Sequence, residues 1–261
     1  MQVRAYKRIL VSVDAGVATV TLNRPERRNA LGTQMTNELL YALEDAALTD
    51  DVRCTVLTGA GSAFCAGADL AELRGDTDAL ELPLKGGYDD LLREMLRTTK
   101  PIIARVNGHA LGGGLGLVAA STLAIASTEA SLGAPEAKLG LFPFMIYAAL
   151  ERVMARRPLL ELLLCGQRLS AAEAVRAGLL NRAVAPAELD AAVEALTDEV
   201  RAASPSALRL GLSAVHEVEG LPLEDQLPLL ARRLVECLAT PDAGEGLTAF
   251  LEKRPPRWTE A

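Results

Sequence analysis

Histidine, cysteine and aromatic residues are scarce in this chain. Only two histidines, His109 and His216, occur among its 261 residues, which leaves little material for a His-rich zinc site or a Ser-His-Asp hydrolase. The cysteines are scattered and not set at metal-ligand spacing. We therefore predict no metal site and free thiols in a reducing compartment. The four cysteines are Cys54, Cys65, Cys165 and Cys237.

The low aromatic content and the negative charge exclude further classes of partner. Aromatic residues make up 3% of the chain, too few for a platform on which single-stranded nucleic acid stacks. The net charge of −7 disfavours binding to DNA or to an anionic membrane surface. No run reaches the ~18 apolar residues of a membrane span, and the N-terminus lacks the apolar core of a signal peptide. We expect a soluble cytoplasmic protein without nucleic-acid or membrane partners.

What the chain does have is 50% hydrophobic residues, enough for a sizeable core. Residues 9–13 and 17–22 alternate with period two around a Gly-containing turn and predict a β-hairpin. A helical stripe over 33–47 and a buried strand over 52–58 follow. The pattern returns as a strand over 102–106, a helix near 113–120 and a strand over 122–127. It predicts an α/β core, spiral or layered.

From about residue 143 the strand signals nearly stop, apart from a short segment at 182–184. Ser170 and Glu173 form a capping box for one helix of this region, and Asp242 is the expected N-cap of the last helix. A mostly helical C-terminal region is therefore predicted.

Three segments carry possible chemistry. FCAGADL at 64–70 is a small-residue turn after a buried strand, where the N–H of Ala68 is free to donate. NGHALGGGLGL at 107–117 leads from a strand into a helix, whose first N–H groups are unpaired. SLGAPEAKLGL at 131–141 sets Glu136 among small and apolar neighbours, which would raise its basicity. Taken singly, each also fits an ordinary turn, a glycine run or a surface glutamate.

Together, and in this order, these segments resemble the crotonase (enoyl-CoA hydratase/isomerase) superfamily. The likeness extends over RNAL at 28–31, KPIIARVNG at 100–108, LCGQRLSAAEAVRAGLLNRAV at 164–184 and GLTAFLEKRPP at 246–256. It implies a crotonase-like spiral of β-β-α units over residues 1–197 and a helical trimerisation region over 198–261. It further implies an acyl-CoA thioester substrate and a homotrimer or dimer of trimers. Coenzyme A is then part of the substrate, and no separate cofactor is expected.

The resemblance also assigns residues. The thioester oxygen would be held by the N–H groups of Ala68 and Gly113, with Glu136 as general base and acid. Phe250 and Lys253 would contact coenzyme A, either in their own subunit or in a neighbouring one, and the Asp69 side chain is expected to fix its own loop. Other contacts to coenzyme A are implied for Arg28 and Ala30, through backbone donors near them, and for Ala66, Asp69 and Leu70. The acyl pocket would include Gly112, Gly116, Phe142 and Phe144.

One position departs from the pattern of the family's hydratases. Those enzymes carry a second glutamate where this chain has Gly116, and they use both carboxylates to add water across a double bond. A single carboxylate is sufficient to move a double bond, as in the family's Δ3,Δ2-enoyl-CoA isomerases. We therefore predict an isomerase. A hydratase or dehydratase with another second acid, and a noncatalytic acyl-CoA-binding protein, remain as alternatives.

Overall fold

The computed structural model describes residues 4–75 and 79–258. Its larger sheet has six strands, of which the first two neighbours pair antiparallel and all the others pair parallel. In spatial order they are β1 (Ile9–Asp14), β2 (Val17–Leu22), β3 (Cys54–Gly59), β5 (Ile102–Val106), β7 (Leu123–Ser127) and β10 (Arg182–Val184).

A second sheet is built from strands of three residues each. They are, in spatial order, β4 (Ala63–Cys65), β6 (His109–Leu111), β8 (Ser131–Gly133) and β9 (Arg168–Ser170). The first three run parallel, and β9 is antiparallel to β8. Along the chain, one strand of the larger sheet and one strand of the second sheet are followed by a helix. Strands β3 and β4 precede α2 (Tyr88–Leu96), and β5 and β6 precede α3 (Gly113–Ala120). This repetition confirms the predicted spiral of β-β-α units.

Local sequence explains the opening of the spiral. Ala15 and Gly16 form the two-residue hairpin turn with positive φ at both positions, 45° and 79°, as the favoured hairpin turn requires. Helix α1 (Thr33–Leu48) follows and buries one face in the main core, where Met35 and Leu39 are at most 1% exposed. All six residues of β3 are buried, because both faces of a central parallel strand are covered.

Seven further helices are described: α4 (Phe144–Leu150), α5 (Arg156–Cys165), α6 (Ala171–Arg176), α7 (Leu189–Ala202), α8 (Pro205–Val218), α9 (Leu223–Leu238) and α10 (Pro241–Glu252). The capping box of Ser170 and Glu173 is present at α6. The N-cap predicted for the last helix is wrong. Thr240 caps α10, because Pro241 occupies its first turn, and Asp242 is buried inside, where it accepts hydrogen bonds from Ser204 and Ser206.

Helix α7 contains the predicted boundary between the core and the C-terminal region. The division after residue 197 lies within α7, whose Leu189, Val193 and Leu196 pack against Cys54 and Ile103 of the larger sheet. This apolar contact joins α7 to the larger sheet, and the division of the chain into a core and a C-terminal region stays a prediction. Along the described ranges, no helix is long and apolar enough to cross a membrane.

The C-terminal helices carry a large exposed apolar surface. None of the 16 residues of α9 is buried, although its leucines recur at three- and four-residue spacing, which is typical of a face that packs against something. Phe250 and Leu251 of α10 are 81% and 80% exposed. The exposed leucines of α9 are Leu223, Leu227, Leu230, Leu234 and Leu238.

Candidate active site

The turn after β4 presses its backbone against the glycine run. Gly67 has a φ of 94°, and a Cβ there would lie 2.8 Å from the Leu111 carbonyl oxygen and 3.4 Å from the Gly113 nitrogen. Leu31 pairs with both neighbours of Ala68: its N–H donates to Gly67 (2.7 Å), and its carbonyl accepts from Asp69 (2.8 Å). The N–H of Ala68 points away from this pairing and has no acceptor among the described residues.

The glycine run provides the second predicted donor. Gly112 adopts φ 50° and ψ −121°, a conformation open essentially only to glycine, and its N–H donates to the Gly133 carbonyl over 2.9 Å. Gly113 then begins α3, so its N–H is one of the first-turn groups that lack a partner within the helix. Ala68 and Gly113 line the same cavity. The structure therefore brings the two predicted donors together.

Glu136 faces these donors from a short 3-10 helix, Pro135–Leu139. A Cβ on Gly112 would lie 2.7 Å from Glu136 Oε1, so the carboxylate rests on the bare glycine backbone. Its Oε2 is buried and has no hydrogen-bond partner among the described residues. Burial raises the pKa of Glu136, partly offset by a hydrogen bond from its own N–H. An acid with a raised pKa becomes a stronger base when ionised.

The cavity between these groups has a volume of about 380 Å³ and a largely apolar wall. Phe142 and Phe144 belong to that wall, with their ring centroids 4.9 Å apart. Phe144 is 75% exposed, so it is not a core residue. The residues that line the cavity are Leu31, Thr36, Ala68, Tyr88, Gly113, Glu136 and residues 141–146.

Gly112 and Gly116, both expected in the acyl pocket, are not among the described residues that line this cavity. Gly116 is buried in α3, one turn beyond Gly112. A Cβ there would overlap the Tyr88 hydroxyl and lie 2.5 Å from Ile146 Cγ2. The space in which a second carboxylate would need to lie is thus filled by a phenol and an isoleucine.

Tyr88 is the site residue that the sequence reasoning missed. It begins α2, and its hydroxyl donates to the Gly113 carbonyl over 2.6 Å. Burial, together with nearby Cys65 and Glu136, raises the pKa of Tyr88 well above its usual value, so the phenol stays neutral. The available signal was weak: a lone tyrosine after Gly86 and Gly87.

The residues implied to contact coenzyme A differ in whether their backbone donors and side chains are available to a ligand. The N–H groups of Arg28 and Ala30 donate to the carbonyls of Pro25 and Arg27, at 2.9 and 3.1 Å, and the Ala66 N–H donates to Arg28. These three backbone donors are therefore occupied within the chain, and the contacts to coenzyme A implied near Arg28 and Ala30 stay a prediction. The Arg28 carbonyl accepts the Ala66 N–H, whereas the Arg28 side chain is exposed.

Asp69 and Leu70 point to different surroundings. Asp69 is 6% exposed, and its carboxylate pairs with Arg24 (2.5 Å) and accepts from the Ala71 N–H (2.9 Å). Burial alone would raise its pKa, but these two partners lower the pKa of Asp69 overall. The carboxylate thus holds its own loop, as predicted, and is not free for coenzyme A. Leu70 is 54% exposed.

Phe250 and Lys253 lie at the end of α10, both exposed, and neither lines the cavity. Within one chain they make no part of the site. Over the described ranges, no group of three or more His, Cys, Asp or Glu side chains could hold a metal ion.

Comparison with known proteins relates the whole chain to one family. The family model described as "Enoyl-CoA hydratase/isomerase" matches residues 12–261. A Thermus thermophilus protein named as a candidate enoyl-CoA hydratase is 40% identical, covering 95% of this chain and 100% of that protein. The short-chain-enoyl-CoA hydratase of Clostridium acetobutylicum is 32% identical, with 94% and 95% covered. The crystal structure of a Mycobacterium smegmatis enoyl-CoA hydratase superposes with a TM-score of 0.90 at 35% identity, covering 97% and 99%.

Proposed function

Because this chain belongs to the enoyl-CoA hydratase/isomerase family, we propose that it is an acyl-CoA enzyme that shifts a carbon–carbon double bond from the 3 to the 2 position. The observation that carries the proposal is that, among the described residues, Glu136 is the only carboxylate lining the cavity, and the position of a second acid is filled. Gly116 has no side chain, and Tyr88 and Ile146 occupy the adjoining space.

The proposed reaction moves one proton. Glu136 takes it from C2 of the substrate, and the electron pair of that C–H bond enters the thioester to give a dienolate. Ala68 and Gly113 donate their N–H groups to the enolate oxygen. Removing one such preorganised donor costs roughly 3 kcal/mol of transition-state stabilisation in comparable sites. The protonated Glu136 then returns the proton to C4, so that the double bond forms between C2 and C3.

The apolar wall supports the same chemistry. The segment 141–146 lines the cavity with Leu141, Phe142 and Met145 among others, so the acyl chain meets few groups that could hold water. In this setting the Glu136 carboxylate interacts more strongly with the substrate proton than it would in bulk solvent.

A second candidate is hydration of 2-enoyl-CoA, since the relatives described above are named hydratases. It would require water to be activated by Glu136 without a partner carboxylate. The two reactions are separated by their products: 3-enoyl-CoA becomes 2-enoyl-CoA, which absorbs in the ultraviolet, whereas hydration of crotonyl-CoA removes that absorbance. A protein that only binds acyl-CoA would do neither.

The test is Glu136→Gln, assayed for both conversions beside the wild type. We expect the wild type to isomerise 3-enoyl-CoA faster than it hydrates crotonyl-CoA. A general base contributes ~10²–10⁴-fold, so the variant should lose at least about 100-fold in kcat while it keeps its affinity for an acyl-CoA. Glu129→Gln, at an exposed glutamate, is the matched control. Full activity in Glu136→Gln would end the proposal.

We also propose that the chain assembles as a homotrimer or a dimer of trimers. An exposed apolar face as long as that of α9 favours burial against another subunit. Phe250 and Lys253, which do not reach the cavity of their own chain, could then contact the coenzyme A bound by a neighbour.

A further inference from the structure

We propose that Tyr88 is a positioning residue that fixes the Gly113 oxyanion donor and, with Gly116, closes the site to a second acid. The inference rests on the proposed function of Ala68, Gly113 and Glu136. It adds a residue that acts on the chemistry through the backbone of Gly113.

The glycine run needs such an anchor. Gly112, Gly113 and Gly114 have no side chains, so their backbone is restrained only by what contacts it. Gly112 is held by its bond to Gly133, and Gly114 lies so close to Cys65 that a Cβ would be 2.6 Å from Cys65 Cβ. For Gly113, Leu31 packs nearby, and the side-chain hydrogen bond comes from the Tyr88 hydroxyl, which donates to the Gly113 carbonyl over 2.6 Å.

The phenol reaches Gly113 because position 116 is empty. Any Cβ at 116 would overlap the Tyr88 hydroxyl. Ile146, at the start of α4, supports the same space from the other side. Tyr88 therefore joins α2, α3 and α4 at one point beneath the cavity, and it takes the volume that a glutamate at 116 would require.

The hydrogen bond from the Tyr88 hydroxyl to the Gly113 carbonyl is suited to positioning and not to proton transfer. The Tyr88 proton is already directed at the Gly113 carbonyl, and its raised pKa keeps the phenol protonated across the working range. A neutral donor of this kind holds the same geometry whether Glu136 is protonated or ionised, as long as the pH is below the raised pKa of Tyr88.

The experiment is Tyr88→Phe, which removes the hydroxyl and keeps the ring. Exchange of the C2 proton of butyryl-CoA in heavy water, followed by mass, reports enolate formation whichever overall reaction the enzyme performs. Because displacing a catalytic group by about 1 Å can cost ~100-fold, we expect saturated exchange to fall about 10-fold or more. Affinity for butyryl-CoA should stay within about threefold. Tyr41→Phe, which loses a hydroxyl bond to the Pro83 carbonyl, should match the wild type.

A second variant keeps the proposal testable if Tyr88→Phe fails to fold. Gly116→Ala keeps the phenol but pushes it from Gly113, so it should reproduce the loss, and the double variant should lose little more than either single one. Exchange within twofold of wild type in Tyr88→Phe, losses that multiply in the double variant, or an equal loss of affinity would overturn the inference. If Glu136→Gln retains exchange, the proposed function fails instead, so the two failures are distinguishable.

Discussion

Gly112→Ala tests whether Glu136 depends on bare backbone beneath it. The added methyl meets two costs. The φ of 50° and ψ of −121° lie outside the regions that an L-residue adopts, which costs about 1–3 kcal/mol. The Cβ would also lie 2.7 Å from Glu136 Oε1, so the carboxylate must retreat by about 0.7 Å to regain an ordinary 3.4 Å contact.

The backbone strain and the displaced carboxylate are expected to affect two different measured quantities. In a chain of this size the backbone strain should lower Tm by roughly 2–12 °C, at about 2–4 °C per kcal/mol. The displaced carboxylate should lower kcat by about 30- to 100-fold, because misplacement by about 1 Å costs ~100-fold. Thermal melting gives the first quantity, and 3-enoyl-CoA isomerisation with C2 exchange gives the second.

Gly211→Ala is the matched control. Gly211 lies inside α8 with nothing within 4 Å of the built Cβ, so alanine should raise stability by up to about 1 kcal/mol and leave kcat unchanged. If Gly112→Ala melts and turns over like the wild type, Glu136 does not rest on Gly112 and the geometry argued for the base is wrong.

Two further predictions concern pH and assembly. Burial raises the pKa of Glu136 above 4.5, and the ionised form is the base, so kcat/KM should rise with pH through that raised pKa and then level off; an acid limb at or below 4.5 would contradict the assignment. Because the pKa of Glu136 is raised in the folded state, protonation of this carboxyl stabilises the folded protein. This stabilisation is lost as pH rises through the raised pKa. Glu136→Gln should remove this pH dependence from the melting curves. Leu227→Asp on the apolar face of α9 should dissociate the assembly in sedimentation experiments, whereas Arg232→Asp on the opposite face should not; a wild-type monomer would refute the assembly itself.

The spiral could be predicted because its long elements have strong local signals. The strands over 102–106 and 17–22 and the helix over 113–120 have the bounds that periodicity indicated. The four strands of the second sheet, β4, β6, β8 and β9, have three residues each. Such segments are too short to show an alternation, and their pairing depends on the larger sheet being in place. They could not be read from local pattern.

The site shows the same division. Ala68, Gly113 and Glu136 were predictable because each belongs to a motif of contiguous residues. Tyr88 was not, because its role arises from contact with a carbonyl 25 residues away and from the side chain that position 116 lacks. The hydrogen bonds of the Arg28 and Ala30 N–H groups could not be seen in the motif for a related reason: a tight turn uses its own donors, and the residue letters do not show those bonds.

The short second sheet also explains why three distant motifs form one site. Its strands β4, β6 and β8 are neighbours and run parallel, so their carboxyl ends lie along one edge, where open α/β sheets place ligands. β4 ends at Cys65, three residues before Ala68; β6 ends at Leu111, two before Gly113; β8 ends at Gly133, three before Glu136. Each turn of the spiral thus places one group at the same edge: the two proposed donors, Ala68 and Gly113, and the proposed base, Glu136. The chemistry depends on the register of these strands, because a slip in one of them would move its group by a residue while the larger sheet remained intact.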